Sequence, residues 1–184
     1  MLLKKYFIKN VDFTKPAQKS KWISDLIDQI LATVDYVNHK IAGQIWYHND
    51  TAPYTLAIVK DVHTEVKCFE KTQQTTGESL LNVEHSDSYL QVVEDGHYRA
   101  CWDLNFISSS ANHKYHIHLH VNDVMVEAIE RHVKIGNASD IAYIGATACI
   151  NLVKGDQVSL YVHDETGNST ISVLAGMIGL EKLL

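Results

Sequence analysis

Between Gly96 and Phe106 every second residue is apolar: Tyr98, Ala100, Trp102, Leu104 and Phe106 are separated by mostly polar residues. An extended chain sends successive side chains to opposite faces, so this stretch predicts a strand with one buried face. A later run repeats the idea around Lys154-Gly155-Asp156, with Ile150 and Leu152 before the turn and Val158, Leu160 and Val162 after it. Two strands are expected to meet there at a tight polar corner. Further short β-type runs cover residues 44–48, 54–59, 62–69, 79–84, 89–93, 115–121, 124–129, 133–135, 141–152 and 171–178. Stretches rich in Thr, Gln, Gly, Ser, Asp and Asn connect them. With no helical periods between them, about ten strands predict an all-β antiparallel sandwich and exclude an alternating βαβ fold. A chain of 184 residues that is 46% hydrophobic is one domain with an appendage.

The appendage has two parts. Residues 1–15 form an arm too apolar for a solvated tail, with Leu2, Leu3, Tyr6, Phe7 and Ile8 as candidate anchoring residues. The arm is either an extra strand on its own domain or an anchor laid on a partner. Pro16 then opens a helix expected over residues 16–42 and stopped by Gly43. Its positions Ile23, Ile27, Ile30, Val34, Val37 and Ile41 step by four and three. β-branched residues at both seam positions favour three or more strands over two, so a threefold coiled coil is the preferred reading. Trp22, Leu26 and Leu31 widen the stripe, as they would in a helix packed on its own sheet.

The Gly-x-Tyr opening at Gly96, the strand end Val121-Asn122-Asp123 and the late Leu-x-x-Gly-Asp-x-Val-x-Leu from Leu152 to Leu160 carry a family likeness. Together they resemble the trimeric jelly roll of tumour necrosis factor and complement-type globular heads, in the form found on phage structural proteins. The resemblance spans residues 43–184. It implies a jelly roll, a homotrimer and a non-enzymatic role. It also implies that the strand 141–152 lies near the threefold axis, with Tyr143, Thr147 and Cys149 on the small, uncharged face directed to the other subunits. Asn122-Asp123 departs from the Asn-Gly of many relatives.

Charge and cysteine content narrow the partners. Sixteen Lys and Arg against 22 Asp and Glu give a net charge of -6, which offers no attraction to nucleic acid or anionic lipid. Cys68, Cys101 and Cys149 form no CxxC pair and predict buried thiols. Lysines interrupt the apolar start too early for a signal core, and no run approaches the roughly 20 apolar residues of a membrane span. Folding in a cytosol is therefore expected.

The most chemical stretch is His113 to His120. On a strand, His116, His118 and His120 share one face, and imidazole is the commonest metal ligand, so a nickel, zinc or iron site is the reading they invite. Alternation instead makes them a solvent-facing strip opposite Tyr115, Ile117, Leu119 and Val121. Neighbours two apart on one strand diverge too far to close on an ion without a second strand. The expectation is thus no metal, no cofactor and no catalytic residue. His63, His85, His97 and His163 read as scattered exposed rings, and Asp103, Asp164 and Glu165 as solvated carboxylates. There is no phosphate loop, nucleophile elbow or His-Glu-x-x-His.

The expected function is that of a virion structural protein assembled in the host cytoplasm. It would be a trimeric capsid decoration or cement protein, or a tail or baseplate attachment protein, anchored by its arm. Its partners would be capsid or tail protein, with a host receptor as a further class, and neither nucleic acid nor membrane. The alternatives are a cupin-like metal-dependent enzyme using the histidine strand, and a bacterial surface or secreted complement-like binding module.

Overall fold

The alternating stretches become the long strands of a two-sheet sandwich. The computed structural model describes residues 21, 23–30, 42–69, 71–72 and 84–183, and the chain divides into two units, residues 1–40 and 41–184. In the first unit residues 23–30 are helical, and the seam residues Ile23, Ile27 and Ile30 are exposed, at 41, 49 and 53%. The arm with Leu2, Leu3, Tyr6, Phe7 and Ile8, and the seam residues Val34, Val37 and Ile41, lie outside the described residues.

The second unit runs β1 (Ala42–His48), β2 (Tyr54–Ile58), β3 (Thr64–Glu65), β4 (Lys71–Thr72), β5 (Glu84–His85), β6 (Tyr89–Gln91), β7 (Gly96–Ser108), β8 (His113–Val121) and β9 (Val124–Met125). A 3-10 turn at Glu127–Ile129 leads to β10 (Arg131–Ile135), β11 (Ile141–Leu152), β12 (Gln157–Asp164) and β13 (Ser169–Leu183). One antiparallel sheet has the order β11-β7-β13-β1-β4, with β2 beside β13. The other has the order β10-β8-β12-β6-β5, with β3 beside β12 and β9 beside β8. The core lies between them. Tyr98, Ala100, Trp102, Leu104 and Phe106 of β7 face Tyr115, Ile117 and Leu119 of β8 and Val158, Leu160 and Val162 of β12, all buried. Trp102 also donates its indole N–H to the Ile129 carbonyl at 3.1 Å, hooking the 3-10 turn onto the core.

Four local expectations change. Ala42 and Gly43 are strand, paired with Glu181 and Leu180, so Gly43 is not a helix stop but part of β1. The polar corner at Lys154-Gly155-Asp156 is not a hairpin, because β11 and β12 belong to different sheets and the corner carries the chain between them. Gly155 takes φ +95 there, and the Asp156 carboxylate accepts from Val153 N at 2.9 Å and Asn122 Nδ2 at 2.7 Å. Residues 62–69 pair only at Thr64–Glu65, leaving Val62 exposed. In β13 the inward residues change parity, Ile171 and Val173 giving way to Ile178 and Leu180. A bulge between Val173 and Ala175 resets the register, which a period-two reading passes over.

The departure at Asn122-Asp123 is benign. Both residues sit at positive φ, 51 and 67, as a tight β8–β9 hairpin requires, and Asp tolerates that region better than most residues. Because Trp102 is fully packed, Trp102→Ala should cost roughly 3–5 kcal/mol in a chemical-denaturation measurement, and an unchanged midpoint would overturn this account of the core.

Candidate functional site

Two outer faces carry the candidate residues. On the first sheet, strand register sets side chains in rows: Tyr143–Asn105–Ala175, Gly145–Asp103–Met177–Trp46, and Thr147–Cys101–Gly179–Gln44. These rows are uncharged apart from Asp103, whose carboxyl burial raises above its ordinary value, and the Thr147–Cys101–Gly179 stretch is built of small residues. The next row is closed by the Arg99–Glu181 ion pair at 2.9 Å. Gly145 keeps the face flat, since a Cβ there would lie 2.8 Å from the Trp102 carbonyl oxygen. Tyr143, Thr147 and Cys149 all stand exposed on this face, Tyr143 at 72%. Asn105 Oδ1, in the same field, is buried with no hydrogen-bond partner among the described residues.

The second sheet carries the histidines, and here the solvent-facing strip is corrected. His118 is fully buried and His120 is 5% exposed, because residues 59–63, between β2 and β3, pass over them. Asp61 N donates to the Asp164 carbonyl at 2.9 Å and Lys60 N to Asn168 Oδ1 at 2.9 Å, so this strap is fixed at the two central residues of its turn. His63 is thereby laid against β8. Its Nδ1 lies 3.2 Å from His118 Nε2 and 3.2 Å from His120 Nε2. His163 of β12 stacks on His63 with ring centres 4.8 Å apart and touches His116 at 4.4 Å, and His132 of β10 packs on His116 at 3.7 Å. Six of the eleven histidines thus form one continuous array.

The array divides chemically. His116 turns both nitrogens to carboxylates, Nδ1 to Glu130 at 2.8 Å and Nε2 to Glu165 at 2.8 Å, and Glu130 also reaches His132 at 3.5 Å. Burial alone would raise the Glu130 carboxyl, but its bonds and charges from His116 and His132 together hold it below its ordinary value. Through Nε2, His118 and His120 both meet His63; the Nδ1 atom of His118 is buried without a partner among the described residues, and His120 also meets the Asp123 backbone. Burial first, then repulsion from His63 and His120, pushes His118 down to about 3. His120 and His163 are lowered chiefly by burial as well. These rings are neutral near neutral pH. The three candidate ligands on β8 are therefore not one group: His118 and His120 join His63, while His116 joins Glu130 and His132.

Asp164 is another correction, since it is no solvated loop carboxylate but fully buried. It accepts from His113 Nδ1 at 2.5 Å, Ser169 Oγ at 2.7 Å, Thr166 N at 2.8 Å and Gly167 N at 3.3 Å. Burial would raise this carboxyl, but the hydrogen bonds outweigh it and hold it below the carboxylate range. Tyr115 OH donates to Ser169 Oγ at 3.0 Å and also lies 2.6 Å from Ser108 Oγ, extending the polar cluster into the core.

Among solved structures, the chain is similar to the Eiger TNF from S. frugiperda, with a TM-score of 0.55 and 16% identity over 79% of this chain and 93% of that one. It is also similar to the globular domain of the zebrafish complement 1qA protein, with a TM-score of 0.47 and 15% identity over 76% and 95%. No family model matches the sequence, and no curated protein does either. The fold is an antiparallel jelly roll, as the strand pattern and the short motifs led us to expect.

Since His118, His120 and His163 hold their protons less readily folded than the ordinary value of about 6.5, the unfolded chain takes up protons first as pH falls. Their contribution to stability is complete above about pH 6.5 and is lost progressively below it, towards pH 3 for His118. In chelator, the denaturation midpoint should fall between about pH 7 and pH 5, and less steeply in His118→Gln. A flat profile over that window would contradict the buried, neutral array.

Proposed function

We propose that the chain is a homotrimeric, non-enzymatic binding and assembly module, joined through the outer face of the β11-β7-β13 layer. The observation that supports this is the flat field around Thr147, Cys101 and Gly179, small and almost free of charge, with an ion pair at its rim. Three copies meeting on such a field desolvate apolar and backbone surface without burying unpaired charge beyond Asp103. A chain with this jelly roll, a net charge of -6 and an apolar N-terminal stretch suits a virion structural protein. The role we assign is a capsid decoration or a tail or baseplate attachment protein, assembled in the host cytoplasm. The jelly roll is displayed, and the arm with Leu2, Leu3, Tyr6, Phe7 and Ile8 attaches to capsid or tail protein. Nucleic acid and membrane are not its partners, and no described helix is long and apolar enough to cross a membrane.

The helix supports the same division of labour. Ile23, Ile27 and Ile30 leave an apolar stripe exposed, yet a seam of under three heptads is marginal in water on its own. The sandwich is then the trimeriser, and the helix presents three arms at once. Linked arms gain from effective concentration what a single arm lacks.

Two experiments test this. Thr147→Glu places three carboxylates in the uncharged field and should convert trimer to monomer by light scattering, with the fold retained. A trimeric Thr147→Glu protein would move the interface elsewhere. A chain beginning at residue 41 should remain trimeric but no longer attach to particles that carry the full-length protein, and attachment without residues 1–40 would defeat the anchoring role.

A further inference from the structure

We propose that His63, His118 and His120 form a binding site for a divalent transition-metal ion, zinc foremost, that ties residues 59–63 to β8. The inference rests on the nitrogen geometry. His63 Nδ1 stands 3.2 Å from both His118 Nε2 and His120 Nε2, and all three ligand atoms lie within 4.8 Å of one another. A tetrahedral ion with zinc–nitrogen bonds of about 2.0–2.1 Å places its ligand nitrogens about 3.4 Å apart, close to the two measured edges.

Hydrogen bonding does not account for the arrangement. An imidazole nitrogen offers either one proton or one in-plane lone pair. His63 Nδ1 can therefore satisfy one neighbour well but not both, whichever tautomers are chosen. A cation between the three rings accepts all three lone pairs at once. The same reasoning sets the second cluster aside: both His116 nitrogens already have carboxylate partners, so hydrogen bonds account for that arrangement without an ion.

The surroundings specify the kind of site. Three nitrogen ligands without a carboxylate favour zinc, copper, nickel or cobalt over calcium or magnesium, which prefer oxygen. Among the described residues no fourth His, Cys, Asp or Glu joins the three, so the remaining position is left for water or for an incoming donor. His63 reaches the surface, which gives an ion its way in. The Nδ1 atom of His118 has no acceptor to orient it among the described residues, His120 has the Asp123 backbone beside it, and packing holds both rings, His120 against Tyr161 at 3.9 Å and His118 against His120 at 5.0 Å. With that second layer of hydrogen bonds missing at His118, the site binds more weakly than a closed structural zinc centre. The ion replaces a ring-to-ring contact with bonds that cross from the strap to the sheet, so loading raises thermal stability.

The test uses the full chain, prepared without a metal-affinity step, stripped with chelator and dialysed with zinc chloride. The wild type should retain one zinc per chain by elemental analysis, and its melting temperature should rise on loading. His63→Gln is the decisive variant, because His63 is exposed and its replacement leaves the core intact. It should retain background zinc and show no thermal shift, with an unchanged circular-dichroism spectrum. His132→Gln, altered in the other cluster, should bind as the wild type does. Cobalt(II) absorbance in the visible provides a second readout of nitrogen coordination. Background zinc in the wild type overturns the site, as does undiminished zinc in His63→Gln or loss of zinc in His132→Gln.

Discussion

The buried carboxylate of Asp164 is the contact on which much of this arrangement depends. One oxygen holds His113 from β8 and Ser169 from β13, and the other closes the turn between β12 and β13 through the N–H groups of Thr166 and Gly167. The backbone carbonyl of the same residue accepts from Asp61, so the strap carrying His63 is fixed at the position that joins the two sheets. A carboxylate removed from water is costly unless every lone pair is used, and here four donors meet it. Placement of His63 over β8 is thus inherited from the way the sandwich closes at this end.

The two outer faces then have separate duties. β7 is the spine of the first sheet, flanked by β11 and β13 along nearly its whole length. Its inward residues build the core, while its outward residues Cys101, Asp103 and Asn105 build the flat field. The second sheet gives its outward positions on β8 and β12 to histidines and Tyr161. One alternating pattern therefore serves core and surface at the same time, and a single change in register would exchange them.

Long strands were legible in the sequence because period-two alternation is a local signal. β11 runs from Ile141 to Leu152 as read, and Trp102 lies in the core as its parity requires. The failures are non-local. Alternation showed that His116, His118 and His120 share a face opposite Tyr115 and Ile117, but not that the strap covers that face. His63 lies 55 residues from His118 in sequence, and His163 comes opposite His116 only through the β8–β12 register. Val62 misled in the other direction: its apolar neighbours Val66, Cys68 and Phe69 reach the core, whereas Val62 lies on the strap and faces solvent. The available signal was numerical: eleven histidines in 184 residues, four of them between His113 and His120, invite a search for partners outside that strand.

The division between faces also decides what a bound ion could do in the assembled protein. If copies meet through the first sheet, the histidine array on the second sheet's outer face points away from the interface and stays open to solvent at His63. An ion there neither builds the trimer nor is enclosed by it. It acts within one subunit, bracing a strap whose other attachments are the backbone bonds at Lys60 and Asp61. A carboxylate or imidazole from a binding partner would complete its coordination, and three such positions on one trimer would reinforce one another through effective concentration. In the proposed trimer the first sheet's outer face joins the copies, the Asp164 cluster fixes the strap, and the strap carries one residue of the proposed site.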